Sequence, residues 1–220
     1  IELHVEQGRW LAPAAAPVGV ATAIWPHGRY RFDFCGQGNH AGATAMADRH
    51  DPMLAYAATV LAARELASAT DQRATLGRVR IEPNSTNSIP SRVTAWLDAR
   101  ASSEAGLEAL VAAIVSKAQL AAEVDGTSVE VRAESVSGAV EFDHALRHRL
   151  AALLDAPVLP TGAGHDAGIL AAKLPTAMLF VRNPTGVSHA PEEFATPEDI
   201  DAGVAALIQV VREVGSEAAR

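Results

Sequence analysis

Between Ile24 and Ser135 the apolar periodicity changes in the order strand, helix, strand, strand, helix, strand, and few small folds accommodate that order. Arg29-Tyr30-Arg31-Phe32-Asp33-Phe34 alternates as a half-buried strand does. Asp51 to Ser68 then carries apolar residues at helical spacing, with Leu54, Ala58, Leu61 and Leu66 as the expected buried stripe. Arg73 to Glu82 and Arg92 to Arg100 read as strands, and Ser128 to Glu134 as a third. Ser103 to Val124 reads as a second helix, with Ser102 or Ser103 as its N-cap. This is the split βαβ order of a ferredoxin-like unit, one antiparallel sheet with two helices on one face. It predicts an α+β domain over residues 24–135.

The flanks, residues 1–23 and 136–220, must then fold with each other, because the first is too short to bury a core alone. Ile1-Glu2-Leu3-His4-Val5 alternates and would place Glu2, His4 and Glu6 on one face of a strand. A connector with Pro13 and Pro17 leads to the apolar run Val18 to Trp25. Helical patterns over Asp143 to Leu154 and Thr196 to Val214 surround an apolar strand, Thr176 to Val181. The reading is one α/β layer interrupted by the ferredoxin-like insertion.

Composition narrows the function classes. The 220 residues are 49% hydrophobic, ample for a packed core, and the chain carries 26 acidic against 18 basic groups. The net charge of −8 opposes sequence-independent binding to nucleic acid or anionic lipid. No apolar run is read as reaching the roughly 20 residues of a bilayer span, and Ile1-Glu2-Leu3-His4 does not resemble a signal peptide. One cysteine, Cys35, can make neither an internal disulfide nor a CxxC metal site, so a reducing, cytoplasmic compartment is expected. Cys35 is expected to be a small buried side chain rather than a nucleophile, and Met46 and the tryptophans are assigned to packing.

Five clusters combine His with Gly, Asn, Asp or Glu beyond what packing requires. They are His4-Val5-Glu6-Gln7-Gly8, Gly38-Asn39-His40-Ala41-Gly42, Asn84 to Pro90 with Asp98 and Arg100, Gly162-Ala163-Gly164-His165-Asp166-Ala167, and Ser188-His189-Ala190-Pro191-Glu192-Glu193. Neutral imidazoles bind divalent metals, glycines allow close backbone approach, and an Arg fork grips a carboxylate. Such a set suits an anionic, carbonyl-containing small molecule near a metal.

In this order the clusters resemble the M20 metallopeptidase-like amidohydrolases. The specific likeness is to the branch of allantoate amidohydrolase, N-carbamoyl-L-amino acid hydrolase and β-ureidopropionase. Glu2 to Gly8 matches the branch's ELHIEQG signature, Gly38 to Met46 its NHAG segment, Asn87 to Arg100 its N-x-IP and LDxR segment, and Gly162 to Ala167 its GAGHDA turn. The Ser188 to Glu192 segment completes the set. The resemblance implies a zinc-peptidase-like α/β catalytic portion with an inserted ferredoxin-like lid and dimerisation domain. It implies a homodimer that cleaves the carbamoyl or ureido C–N bond of small anionic substrates, with two divalent ions (Zn, Mn, Ni or Co).

Residue by residue, the resemblance makes His4 a ligand of one metal and His189 of the other. Gln7, Asn87, Arg100, Gly164 and His165 would hold the substrate, with Arg100 on its carboxylate. His40 would reach into the partner subunit's site and stabilise the developing oxyanion. The family's HxD motif and bridging Asp have no counterpart in this sequence, and Glu192-Glu193 belongs to the Ser188 segment and does not replace the family's Glu-Glu pair, so one ligand per metal remains and metal binding by this chain alone is expected to be weak or absent. Two readings stay open. One is the C-terminal part of an amidohydrolase; the other is a naturally shortened, non-hydrolytic dimeric relative that binds ligands or does other chemistry.

Overall fold

The computed structural model describes residues 1–218. Strand β1 (Glu2–Val5) and β2 (Val18–Ile24) precede β3 (His27–Cys35) and the short β4 (Asn39–His40). Helix α1 (Pro52–Ala69) is followed by β5 (Arg73–Glu82), β6 (Ser88–Ile89) and β7 (Arg92–Arg100). After α2 (Glu104–Val124) come β8 (Ser128–Ser137), β9 (Val140–Glu141), α3 (His144–Leu154) and β10 (Val158–Thr161). Helix α4 (Asp166–Leu170), β11 (Met178–Val181) and α5 (Pro197–Ala218) complete the order. The chain divides into unit 1, residues 1–25 and 139–220, and unit 2, residues 26–138. These bounds lie two to three residues from the boundaries at 23/24 and 135/136 read from the sequence, because β8 runs on to Ser137.

Unit 1 is built on a mixed sheet of order β1-β11-β2-β10, with β9 also paired to β2. Alternation sorts its side chains onto two faces. Leu3, Val20 and Leu179 pack with Leu150 of α3 and Ala206 and Val210 of α5. Ala21, Met178 and Phe180 on the other face pack with Leu11, Phe142, Leu159 and Ala167. Helix α5 begins after Thr196, whose hydroxyl accepts from Asp199 N at 3.2 Å and donates to its carboxylate at 3.0 Å, with Pro197 in the first turn. Asp199, only 1% exposed, is neutralised by Arg182 at 2.7 Å. Gly203 lets α5 run close over β11, since a Cβ there would stand 2.4 Å from Val181 Cγ2.

Unit 2 has the antiparallel order β5-β7-β3-β8, with α1 and α2 contributing to the core on one face. Phe32, Phe34, Val93, Ala95 and Leu97 point toward the helices. Asp33, 4% exposed, points the other way and accepts from Arg92 Nη2 at 2.6 Å, Arg31 Nη2 at 2.9 Å and Thr94 Oγ1 at 2.9 Å. Each helix starts at a side-chain cap, Asp51 accepting from Met53 N and Ser103 from Gly106 N. Either cap contributes about 1 kcal/mol.

Several expectations are corrected. Helix α1 buries Ala55, Thr59, Ala63 and Ala67, while Leu54 and Leu61 are 49% and 65% exposed. Small side chains let α1 settle close to the sheet and α2, and the Thr59 hydroxyl is satisfied by Ala55 O at 2.7 Å, so the larger leucines turn outward. Cys35 is exposed at the end of β3 rather than buried, and Met46 is 72% exposed rather than packed. Helix α2 is 21 residues long and apolar enough, by length and composition, to cross a membrane, contrary to the sequence reading. Its buried residues Leu107, Leu110, Val111, Ile114, Ala118 and Ala122 belong to the unit 2 core, which accounts for that apolar character.

Candidate functional site

In unit 1, period 2 places Glu2 and His4 on the β1 face that also carries Met178 and Phe180, and the turn after β10 brings His165 to them. The rings of His4 and His165 meet edge to face with centroids 4.8 Å apart, and His165 packs in the same way on Phe180. Ligand atoms of Glu2, His4 and His165 all lie within 4.8 Å of one another. His4 Nδ1 is 2.7 Å from Val5 O, and a neutral ring in that contact carries its proton on Nδ1 and offers the Nε2 lone pair. Two imidazoles and a carboxylate are the donor chemistry of Zn, Mn, Ni or Co, so the residues present fit such an ion. The sequence mapping counted one ligand per metal; the fold gathers three candidate donors around one point.

The surrounding groups are already organised. Burial holds the His165 imidazole below its ordinary pKa and the His4 charge adds to this, against the opposing pull of Glu2 and Asp166, so the ring stays neutral at neutral pH. Thr161 Oγ1 accepts from Ala163 N at 3.0 Å and lies 3.4 Å from His165 Nε2. Gly164 faces open space, leaving its backbone approachable. Glu6 is spent elsewhere: its carboxylate accepts from Trp10 N and Leu11 N and closes the turn that follows β1. It is structural, although strand alternation put it on the same face as Glu2 and His4.

A second part of the same unit links Gln7 to the segment carrying His189. Gln7 Nε2 donates to Glu193 Oε1 at 2.6 Å, the Ser188 hydroxyl donates to Gln7 Oε1, and Glu193 Oε2 accepts from His189 N at 2.9 Å. The hydrogen bonds from Gln7 and from the His189 backbone hold the Glu193 carboxyl below its ordinary pKa, and the charges of His189 and His4 act in the same direction. His189 is itself exposed, with a left-handed φ of 57° that Glu193 pins from the C-terminal side. Sequence reading passed over Glu193 as a residue of the motif without a role. An acid four residues after the motif histidine is the available signal.

In unit 2, β4 pairs with β6, so His40 stands opposite Ser88 and Ala41 N donates to Asn87 O at 2.9 Å. His40 Nδ1 accepts the N–H groups of Gly42 and Ala43 at 3.1 and 3.2 Å. A neutral ring in that arrangement carries its proton on Nε2 and offers it outward as a hydrogen-bond donor. Arg49 fastens the turn from beneath, donating to Ala41 O at 2.6 Å and Thr44 O at 3.1 Å. No motif marked Arg49.

Arg100 is not near these groups. It pairs with His27 across the sheet, whereas Cys35, which leads toward His40, pairs with Arg92 at the other end of β7. Eight strand steps separate those ends, about 27 Å. Asn87 precedes the Arg92 end of β7, and Arg100 closes its other end. The Arg100 guanidinium donates twice to Asp98, at 2.7 and 3.0 Å. Burial pushes the Asp98 carboxyl up, but this pair, with Arg29 beyond it, outweighs burial and holds its pKa below the ordinary value.

Comparison with known proteins agrees with this geometry. Residues 1–213 match the model of peptidase family M20/M25/M40. The chain is 35% identical over 217 residues to an N-carbamoyl-L-amino acid amidohydrolase of Geobacillus stearothermophilus, covering 96% of this chain and 53% of that protein. It is 32% identical over 228 residues to an allantoate amidohydrolase of Bacillus subtilis, covering 96% and 53%. A solved amidase of the hydantoinase/carbamoylase family from Burkholderia vietnamiensis superposes with a TM-score of 0.89 at 32% identity, over 94% of this chain and 52% of that one. The chain thus spans about half the length of the curated relatives it matches. On the family match and the motifs that carry it, the chain belongs to peptidase family M20/M25/M40, alongside amidohydrolases of N-carbamoyl amino acids and allantoate.

Proposed function

We propose that this chain forms part of a metal-dependent, homodimeric, cytoplasmic amidohydrolase that cleaves the carbamoyl or ureido C–N bond of N-carbamoyl-L-amino acids or allantoate. The observation that carries the reading is the cluster of Glu2, His4 and His165, within 4.8 Å, in a chain of this family. His4 and His165, with Glu2, are the donors that would hold a divalent ion, and His189 is assigned to a second one. A bound divalent ion would polarise the substrate carbonyl and lower the pKa of water beside it.

The chain's own residues supply positioning and charge stabilisation. Gln7, held by Glu193 and Ser188, presents its amide beside the His189 segment. Arg100 is assigned to the substrate carboxylate, for which its pairing with Asp98 fixes the guanidinium plane. His40, with its proton on Nε2, is suited to donate to an oxyanion, and Asn87 accompanies it on the adjoining strand. Since the length of β7, about 27 Å, lies between Arg100 and the end of the sheet where Cys35 leads toward His40, we assign His40 and Asn87 to the site of a partner subunit, which makes the dimer a requirement for turnover.

One observation favours the non-hydrolytic alternative. Among the described residues, three carboxylates near the cluster are engaged: Glu6 by two backbone N–H groups, Glu193 by Gln7 and His189, and Glu2 by Ala167 N. These hydrogen bonds draw the three away from a general-base role. Ammonia release from N-carbamoyl-L-amino acids and allantoate, with Mn, Zn, Ni or Co added, separates the readings. Turnover that fails in His40→Ala supports hydrolysis. Saturable binding of either compound without turnover under every metal supports the binding relative.

A further inference from the structure

Helix α3 carries a pair of histidines that the amidohydrolase reading does not use. His144 and His148 are four residues apart on one exposed helix face, one turn above the other. Their rings lie 4.3 Å apart between centroids, and the Nε2 atoms face each other at 3.2 Å. That separation is the bite of a chelate. Two imidazole nitrogens each about 2.05 Å from one metal stand 3.2 Å apart when the angle at the metal is about 100°, between octahedral and tetrahedral values. We propose that His144 and His148 form a surface site for a borderline divalent cation of the Zn, Cu or Ni class, bound through both Nε2 atoms with water completing the coordination.

The rest of α3 leaves the pair free for this purpose. Asp143 is occupied as the N-cap, accepting from Leu146 N at 2.8 Å. Arg147, between the two histidines in sequence, is turned away, donating to Thr22 O at 2.8 Å and pairing with Glu141 at 3.0 Å. Leu146 and Leu150 face the sheet, so the helix is anchored and the imidazoles stand on a rigid scaffold. That packing is on the sheet face opposite Phe180 and Met178, so within unit 1 this site is separate from the Glu2, His4 and His165 cluster. Imidazole donors select Zn, Cu and Ni over Mg, Ca and Mn. An ion bridging the first and second turns of α3 would also resist fraying of the helix start, because it binds the folded helix and not the unfolded chain.

The test is a Cu²⁺ titration of the whole chain followed by the Cε1–H signals of its histidines in NMR, which reads each ring separately from the cluster on β1. The expected result is that in a His4→Ala/His165→Ala background, which removes the competing cluster, the His144 and His148 signals broaden together at substoichiometric Cu²⁺. His148→Ala should raise the Cu²⁺ needed to broaden His144 by about tenfold or more, as loss of a chelating imidazole demands. Circular dichroism of His148→Ala should match that of the parent, since the side chain is exposed. An unchanged His144 response in His148→Ala, or broadening of the pair only alongside the isolated exposed His50, would overturn the site.

Discussion

Gln7 and Glu193 lie 186 residues apart in sequence, and their side chains meet at 2.6 Å, with the same carboxylate receiving the backbone N–H of His189 at 2.9 Å. One acid therefore sets both the amide assigned to substrate and the segment that carries His189. Glu193 is a positioning residue. In the active enzyme, Glu193→Ala should raise KM or the metal requirement by about 10- to 100-fold, the usual effect of losing a group that orients a ligand. Glu193→Gln keeps one acceptor and should fall between the two. Steady-state kinetics over a metal series reads this, and an unaltered KM and metal requirement in Glu193→Ala would remove the role.

Arg49 should behave differently. It holds the turn whose N–H groups fix the His40 tautomer, without itself facing the donor atom. Arg49→Ala should therefore lower kcat with little change in KM, as His40→Ala should, because an oxyanion donor acts on charge that develops only in the transition state. His40→Ala should cost on the order of 100 to 1,000 in kcat. Arg49→Lys should recover only part of the loss, since one ammonium cannot span two carbonyls as the fork does. Arg100→Ala is the contrast and should mainly raise KM.

Stability toward acid follows from Asp33. Burial pushes its carboxyl up, but hydrogen bonds from Arg31, Arg92 and Thr94 and the charge of Arg92 outweigh this and hold its pKa below the ordinary value. A carboxyl whose folded pKa is depressed contributes its full stability above the unfolded value, near 3.9, and loses it as pH falls through the folded value. Thermal melts should therefore fall steeply below about pH 4. Asp33→Asn should cost about 2–3 kcal/mol at neutral pH and flatten that acid slope. An equal slope in Asp33→Asn would mean that other carboxyls carry the acid response.

The outcomes above rest on residues of two kinds. Those in repeating patterns were legible: the limits of β5 and β7 and the cap at Ser103. Contacts that depend on chain geometry were not. Periodicity found a helix in α1 but chose its leucine face, because the preference for Ala55, Thr59, Ala63 and Ala67 arises from the closeness of α2 and the sheet. Glu6 lies at the right alternation for a ligand yet folds back onto Trp10 N and Leu11 N.

The metal-holding role of the Glu2, His4 and His165 cluster is tested most directly by a calorimetric Zn titration of the chain, carried out in a His144→Ala/His148→Ala background that removes the helix pair. One ion per chain should bind, and His4→Ala should weaken that binding about 10-fold or more, as deletion of one of three protein ligands requires. His165→Ala should do the same, while Glu6→Gln should leave the affinity unchanged. Zn affinity that is indifferent to both His4→Ala and His165→Ala would contradict a metal site at this cluster.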